Sequence, residues 1–403
     1  MGTPVPVQPV RATAGGVHIL PARVVVASRS LGHHSDPMTE SLPPGVEIRA
    51  ADDALRAPLI ELFNLCFDKD DGERVVPWRY DANPAGQAIS QVACEGETIL
   101  SSYGCFPRRV LHRGEEVDRS VVGQTGDVMT HPDHRGRGVF SHLDRSAMSE
   151  SSNRGWPCVI GLPNRKSAPI FTGKLGWKEV GKVRPWTFVL HPDSRAKAER
   201  MRAGRLASAV VPWTYFRGVR ARGRLRDKAF DKVNTVAIPR FGEDVDSVTR
   251  EVAKSYSWMV DRNHEFLNWR FLDAPSQRFR AHGVYDASGD LRGYSVVQLP
   301  ERGEAAGYVV DLVGLDDVAV AGAMEAALGH LHKAGAAVAR AFAVEGSFWE
   351  KALRSSGFRA PKADDYKLII AWVNDESHPL GKAVLDPAGW FATDADRDDE
   401  LVS

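Results

Sequence analysis

Residues Val128 to Phe140 read V-M-T-H-P-D-H-R-G-R-G-V-F. A β-prone segment runs into a short loop with two glycines, and a helical pattern starts at once. Such a layout suits an anionic ligand. The first amides of a helix have no partner within it and point outward, and the helix dipole adds to their pull on phosphate. Gly136 and Gly138 let the backbone approach the anion, and Arg135 and Arg137 add fixed positive charge. The expected chemistry is a grip on a diphosphate. The dinucleotide pattern G-x-G-x-x-G fails at its third glycine, because Val139, Phe140 and Ser141 follow Gly138, and the Walker sequence G-K-[ST] is absent.

The stretch resembles the acyl-CoA loop of the GCN5-related N-acetyltransferase (GNAT) family, whose pattern is V-x-P-x-x-R-G-x-G followed by a hydrophobic residue. Val128, Pro132, Arg135, Gly136, Gly138 and Val139 carry the likeness. Phe140 departs from it, since the family usually has Gly or Ala there. The resemblance implies that acetyl-CoA is the acyl donor; no metal is expected, because His131-Pro132-Asp133-His134 is not a recognised ligand spacing. It places the thioester and pantetheine along Val128, Met129 and Thr130, and the phosphates on Arg135, Gly136, Arg137, Gly138, Val139, Phe140 and Ser141. Asn164 is expected to contact the cofactor or to cap a helix.

An amine must lose a proton to attack a thioester, so a base is sought on the same strand. Asp127 is the nearest carboxylate, with His131 and His134 as alternatives. Asp311 echoes Asp127 in the second half of the chain, which also fits a structural role for both. The family often places a tyrosine on the late helix to protonate the departing thiolate. Thr172 stands in the resembling place here. Cys158, among Pro157, Val159 and Ile160, is expected to be an inert core thiol.

These residues need a scaffold, and 403 residues supply enough chain for two or three domains. Lys plus Arg total 52 and Asp plus Glu total 52, so no global field argues for nucleic acid. Four scattered cysteines without a C-x-x-C pair argue against a disulfide framework or a zinc site. No apolar run approaches a membrane span, and a cytoplasmic protein is expected. Residues 1–44, rich in Pro, Gly, Ser and Val, are expected to be a disordered extension.

Gly45 to Arg49 predicts a strand, and Ala51 to Phe67 an amphipathic helix with Leu55, Leu59, Ile60 and Phe63 at helical spacing. Ile89 to Cys94, Thr98 to Arg109 and Glu116 to Thr130 predict three strands. A helix over 138–153, a short strand at Pro157 to Gly161, a helix from Asn164 to Lys174 and closing strands from Trp177 to Leu190 complete the order that the resemblance requires. The fold class is therefore α/β (α+β): two acyl-CoA N-acyltransferase-like domains, each a mixed, mostly antiparallel sheet flanked by helices.

The second domain follows from internal echoes. Pro77-Trp78-Arg79-Tyr80 returns as Asn268-Trp269-Arg270-Phe271, and Gly126-Asp127-Val128 as Val310-Asp311-Leu312. At the cradle position stands Val313-Gly314-Leu315-Asp316-Asp317, one glycine and two acids, so the second copy is expected not to bind CoA. The expected organisation is a GNAT domain at 45–190, a basic helical linker at 191–235, a degenerate GNAT-like domain at 236–375 and a tail at 376–403. The expected activity is acetyl transfer to a primary amine of a small molecule, sugar or protein. The alternative is a non-catalytic acyl-CoA sensor or scaffold.

Overall fold

The computed structural model describes residues 41–191, 233–301, 303–360 and 365–397. The first half runs β1 (Val46–Ala50), α1 (Arg56–Phe67), α2 (Gly72–Tyr80), β2 (Ile89–Glu95), β3 (Thr98–Leu111), β4 (Val121–Thr130), α3 (Val139–Asn153), β5 (Cys158–Gly161), α4 (Ala168–Gly173) and β6 (Lys178–Val189). The second runs β7 (Asn234–Ile238), α5 (Asp244–Ala253), β8 (Trp258–Val260), β9 (Phe279–Tyr285), β10 (Leu291–Gln298), β11 (Ala306–Gly314), α6 (Asp317–Lys333), β12 (Val338–Val344), α7 (Phe348–Ser355), β13 (Lys367–Val373), α8 (Pro379–Ala383) and β14 (Trp390–Phe391). Among the described residues no helix is long and apolar enough to cross a membrane.

One large, mostly antiparallel sheet carries the order β1-β2-β3-β4-β5-β13-β6-β12-β11-β10-β9-β7. Read inward from its two ends, this order repeats itself. β4 and β5 are parallel neighbours in one half, as β11 and β12 are in the other. The sixth strand of each half is exchanged: β13 pairs with β5, and β6 pairs with β12. The closing strand expected inside residues 45–190 therefore completes the second half's sheet, and the first half is closed by a strand from beyond residue 366. A chain boundary near residue 190 does not separate the two sheets.

Helix α1 forms because Leu59, Leu62 and Phe63 share one face and are buried against the sheet. α2 was not expected from the pattern, since Pro77 lies inside it. It holds Val75, Val76, Trp78 and Tyr80 in the core. α3 packs Leu143, Ala147 and Met148 on the opposite face of the sheet, together with Trp156, Phe171 and Trp177.

The expected tail at 376–403 is a packed element up to Arg397. β14 pairs with β8, and Thr393 caps a short 3-10 turn at Asp394–Asp396. The extension at 1–40 and most of the basic linker lie outside the described residues.

Candidate active site

β4 and β5 are paired only at Gly123–Val159 and Gln124–Ile160. Beyond that point they diverge, and β4's free edge borders a cleft of about 490 Å³. Thr125 to Thr130 form one wall, Leu162, Pro163 and Asn164 the other, and Phe140, Ile170 and Phe171 close the side. Cys66 and Phe67, from the end of α1, cover the mouth beside Arg135.

The loop from His131 to Gly138 joins β4 to α3. His131 accepts from the Asp133 amide and starts a 3-10 turn at Pro132–His134. Gly136 (φ +79°) and Gly138 (φ +76°) take the left-handed conformation that disfavours other residues. Gly138 is the N-cap of α3, so no side chain satisfies the first amides, and the first turn holds no acid. Those donors are left for an anion. The second half differs at this point. Asp316 caps α6 with its own carboxylate, accepting from the Val318 and Ala319 amides at 3.1 and 2.8 Å. An anion would meet a carboxylate there, in line with the acids read in the sequence.

Asp127 sits in a bulge of β4. Ser102 is opposite Met129 and Gly104 is opposite Gly126, so β4 carries one residue more than β3 over this stretch. Asp127 takes up the irregularity at φ +48°, and Val128 is turned outward, 36% exposed. The Asp127 carboxylate is buried in an ion pair with Arg79. Its second oxygen and the nearby Tyr80 hydroxyl are both buried without a hydrogen bond of good geometry. Burial raises the Asp127 pKa above the ordinary carboxylate value, against the opposing pull of Arg79 and Tyr80.

Of the other expected residues, Val128, Met129, Thr130, Arg135, Phe140 and Asn164 line the cleft. Arg137 instead reaches His134, at 3.0 Å. Asn164 accepts from the Lys166 and Ser167 amides at 2.9 and 3.0 Å and so caps the turn into α4. His131 and His134 do not line the cleft; their rings lie 5.3 Å apart in the loop. Thr172 donates to the Ala168 carbonyl within its own helix and offers no acid to the cleft. Burial pushes the Cys158 thiol pKa upward, as suits a core residue. Arg79, Tyr80 and Cys66 were not anticipated at the site. The repeated P-W-R-Y and N-W-R-F motifs were the available signal for the first two.

A family model described as "Acetyltransferase (GNAT) domain" matches residues 47–180. This stretch is a GNAT domain. No curated protein matches the chain in sequence. Among solved structures, a GCN5-related N-acetyltransferase from Anabaena variabilis is similar at 13% identity and a TM-score of 0.58, over 82% of this chain and 73% of that one. A GCN5-related N-acetyltransferase from Kribbella flavida aligns at 15% identity and a TM-score of 0.52, over 82% and 72%. N-myristoyltransferase of Saccharomyces cerevisiae, solved with bound myristoyl-CoA, aligns at 12% identity and a TM-score of 0.52, over 84% and 85%. At these identities the likeness concerns the fold, and the GNAT fold supports acyl-CoA-dependent N-acyltransferase activity.

Proposed function

We propose that the GNAT domain binds acetyl-CoA in the cleft between β4 and β5 and transfers the acetyl group to a primary amine. One observation carries this reading. The uncapped start of α3, set by two left-handed glycines, opens at the mouth of a cleft bordered by a free strand edge. The diphosphate would meet the amides from Gly136 to Ser141 and the Arg135 charge. The main chain of Val128 to Thr130 would run beside the pantetheine arm, with a β4 amide free to donate to the thioester oxygen.

In the reaction the amine nitrogen attacks the thioester carbon and the C–S bond breaks. CoA leaves as thiolate and takes up a proton, while the amine gives one up. Asp127 is the candidate to accept the amine's proton, because it lines the cleft and one of its buried oxygens lacks a well-formed partner. With Thr172 turned into its helix, solvent is the proton source for the thiolate. We read the second half as a like-folded copy without a donor site, since Asp316 already caps the helix that would face the phosphates.

Calorimetry with acetyl-CoA, on wild-type protein and Gly138→Glu, tests the reading. The wild type should bind, and the variant should lose at least about tenfold in affinity from the added acid and the forced backbone. Thiol release across a panel of amines then reports turnover. No heat with well-folded wild type would overturn the proposal. Binding without release of thiol from any amine would favour the sensor.

A further inference from the structure

The cleft has a closed end, and the second half of the chain closes it. From Thr130 back to Thr125, β4 borders the cleft over five residue steps, about 17 Å of strand. The cradle stands at one end of this path. At the other, β4 and β5 rejoin at Gln124–Ile160. The acyl group is the end of an acyl-CoA farthest from its diphosphate, so it is carried toward Thr125.

What lies behind Thr125 is tightly packed. A Cβ added to Gly161 would come within 2.6 Å of the Thr125 methyl and 3.2 Å of Ile370 Cγ1. The two side chains thus meet across a glycine that has no room for a side chain of its own. Ile370 is fully buried and pairs directly with Gly161 in the register of β13 against β5. It comes from the exchanged strand, some 230 residues further along the chain than the glycines of the loop before α3. The side of the cleft is narrowed as well. The Phe140 ring lies 6.2 Å from Tyr103, nearly parallel to it, and 5.3 Å from Phe171, edge to face.

We propose that Ile370, delivered by strand exchange and packed behind Thr125, closes the cleft to all but short acyl chains, with Phe140 limiting its width. The second half would thereby set donor specificity in the first. This rests on the acyl-CoA reading above. It is a statement about size: a longer chain must displace packed side chains, which costs far more than filling an empty pocket.

Acetyl-, butyryl-, hexanoyl- and octanoyl-CoA are compared by calorimetric affinity without acceptor and by kcat/KM for thiol release with an accepted amine. For the wild type, kcat/KM should fall by at least about tenfold between acetyl and hexanoyl. Ile370→Ala should reduce that ratio to about threefold or less while leaving acetyl-CoA affinity within about threefold. Phe140→Ala, at a half-buried and better tolerated position, should relax the preference in the same direction and serves if Ile370→Ala does not fold. A flat chain-length profile in the wild type would sink the proposal. So would a profile unchanged in a folded Ile370→Ala, or in Phe140→Ala where Ile370→Ala does not fold. If no acyl-CoA of any length binds, the acyl-CoA reading itself has failed, a different result from a flat profile among donors that bind.

Discussion

Trp78 and Trp269 hold each other by the same bond made twice. Their rings stack 4.9 Å apart at 20°. The Trp78 indole N–H donates to the Trp269 carbonyl at 2.9 Å, and the Trp269 N–H donates to the Trp78 carbonyl at 3.0 Å. The two occupy matching places in the P-W-R-Y and N-W-R-F motifs, so an internal two-fold relation passes between them. It is the relation that the sheet order displays on a larger scale. Because each indole satisfies the other's backbone, the pair should act as a unit. Trp78→Ala and Trp269→Ala should each cost about 3–5 kcal/mol. The double variant should cost less than the sum by about 1 kcal/mol or more. Urea denaturation of the four proteins of the cycle measures this, and strict additivity would contradict it.

A second prediction concerns the end of the described chain. Asp311, the counterpart of Asp127, is fully buried and fully bonded. It accepts from Arg262 Nε at 3.2 Å, from the Tyr294 hydroxyl at 2.8 Å and from the Thr393 hydroxyl at 2.7 Å. Arg262 also reaches Asp396 at 2.5 Å, and the Phe342 amide donates to Asp394 at 2.8 Å. The turn at Asp394–Asp396 thus lies against both β11 and β12, where the second half would otherwise open as the first does. Thr393→Val should destabilise by about 1–3 kcal/mol, because Asp311 loses a donor while the Ala395 amide and Arg262 lose an acceptor. Arg262→Met, which strands two carboxylates, should cost about 3–5 kcal/mol. Thermal unfolding distinguishes the two sizes of effect.

The backbone geometry of the loop before α3 was legible because its requirements are local. Left-handed glycines, a helix start without a cap and a preceding strand all lie within thirteen residues, and each leaves a mark in residue type. The duplication was legible as well, through Trp78 and Trp269, because tryptophan, ten in 403 residues, is rare enough to be noticed when it recurs. The strand exchange was not. Lys178–Val189 reads as a closing strand whichever sheet it joins, since alternation records the faces of a strand and says nothing about its neighbours. For the same reason Ile370 gave no hint of its place behind Thr125. The pairing of Asp127 with Arg79 depends on α2, whose internal proline hides the helix from a pattern search. Residues 376–397 carry two prolines and two glycines that interrupt any long apolar period, so the stretch reads as a tail, and its order comes from contacts made far away in sequence.

If Asp127 takes the amine's proton, its environment sets the acid limb of the pH profile. Burial raises its pKa, so the base becomes competent only above the ordinary carboxylate range. The wild-type kcat/KM should therefore rise with pH through that limb. Asp127→Asn keeps the volume and tolerates the positive φ, yet it should lose about 10²–10⁴-fold in rate and lose the limb as well. A purely positioning role for Asp127 predicts a smaller loss with the limb retained, and stopped thiol-release assays across pH separate the two.

Asp144 makes a prediction about stability. It lies on α3 beneath the cleft, 1% exposed. It accepts from the Tyr103 hydroxyl at 2.9 Å and from the Trp177 indole at 3.2 Å. Burial raises its pKa from 3.8 to about 6, partly offset by these two donors. The folded state therefore prefers the neutral acid. The stabilisation associated with that preference is complete below about pH 4 and is lost as the pH rises through about 6. The difference between 3.8 and about 6 corresponds to about 3 kcal/mol across this window. Urea midpoints taken at pH 5 and pH 8 should show the wild type less stable at pH 8 by part of that amount, and Asp144→Asn should remove the same part of the slope. Because Tyr103 stacks on Phe140, ionisation of Asp144 also reaches the side wall of the cleft. Acyl-CoA affinity should then change over the same pH interval in the wild type and stay level in the variant.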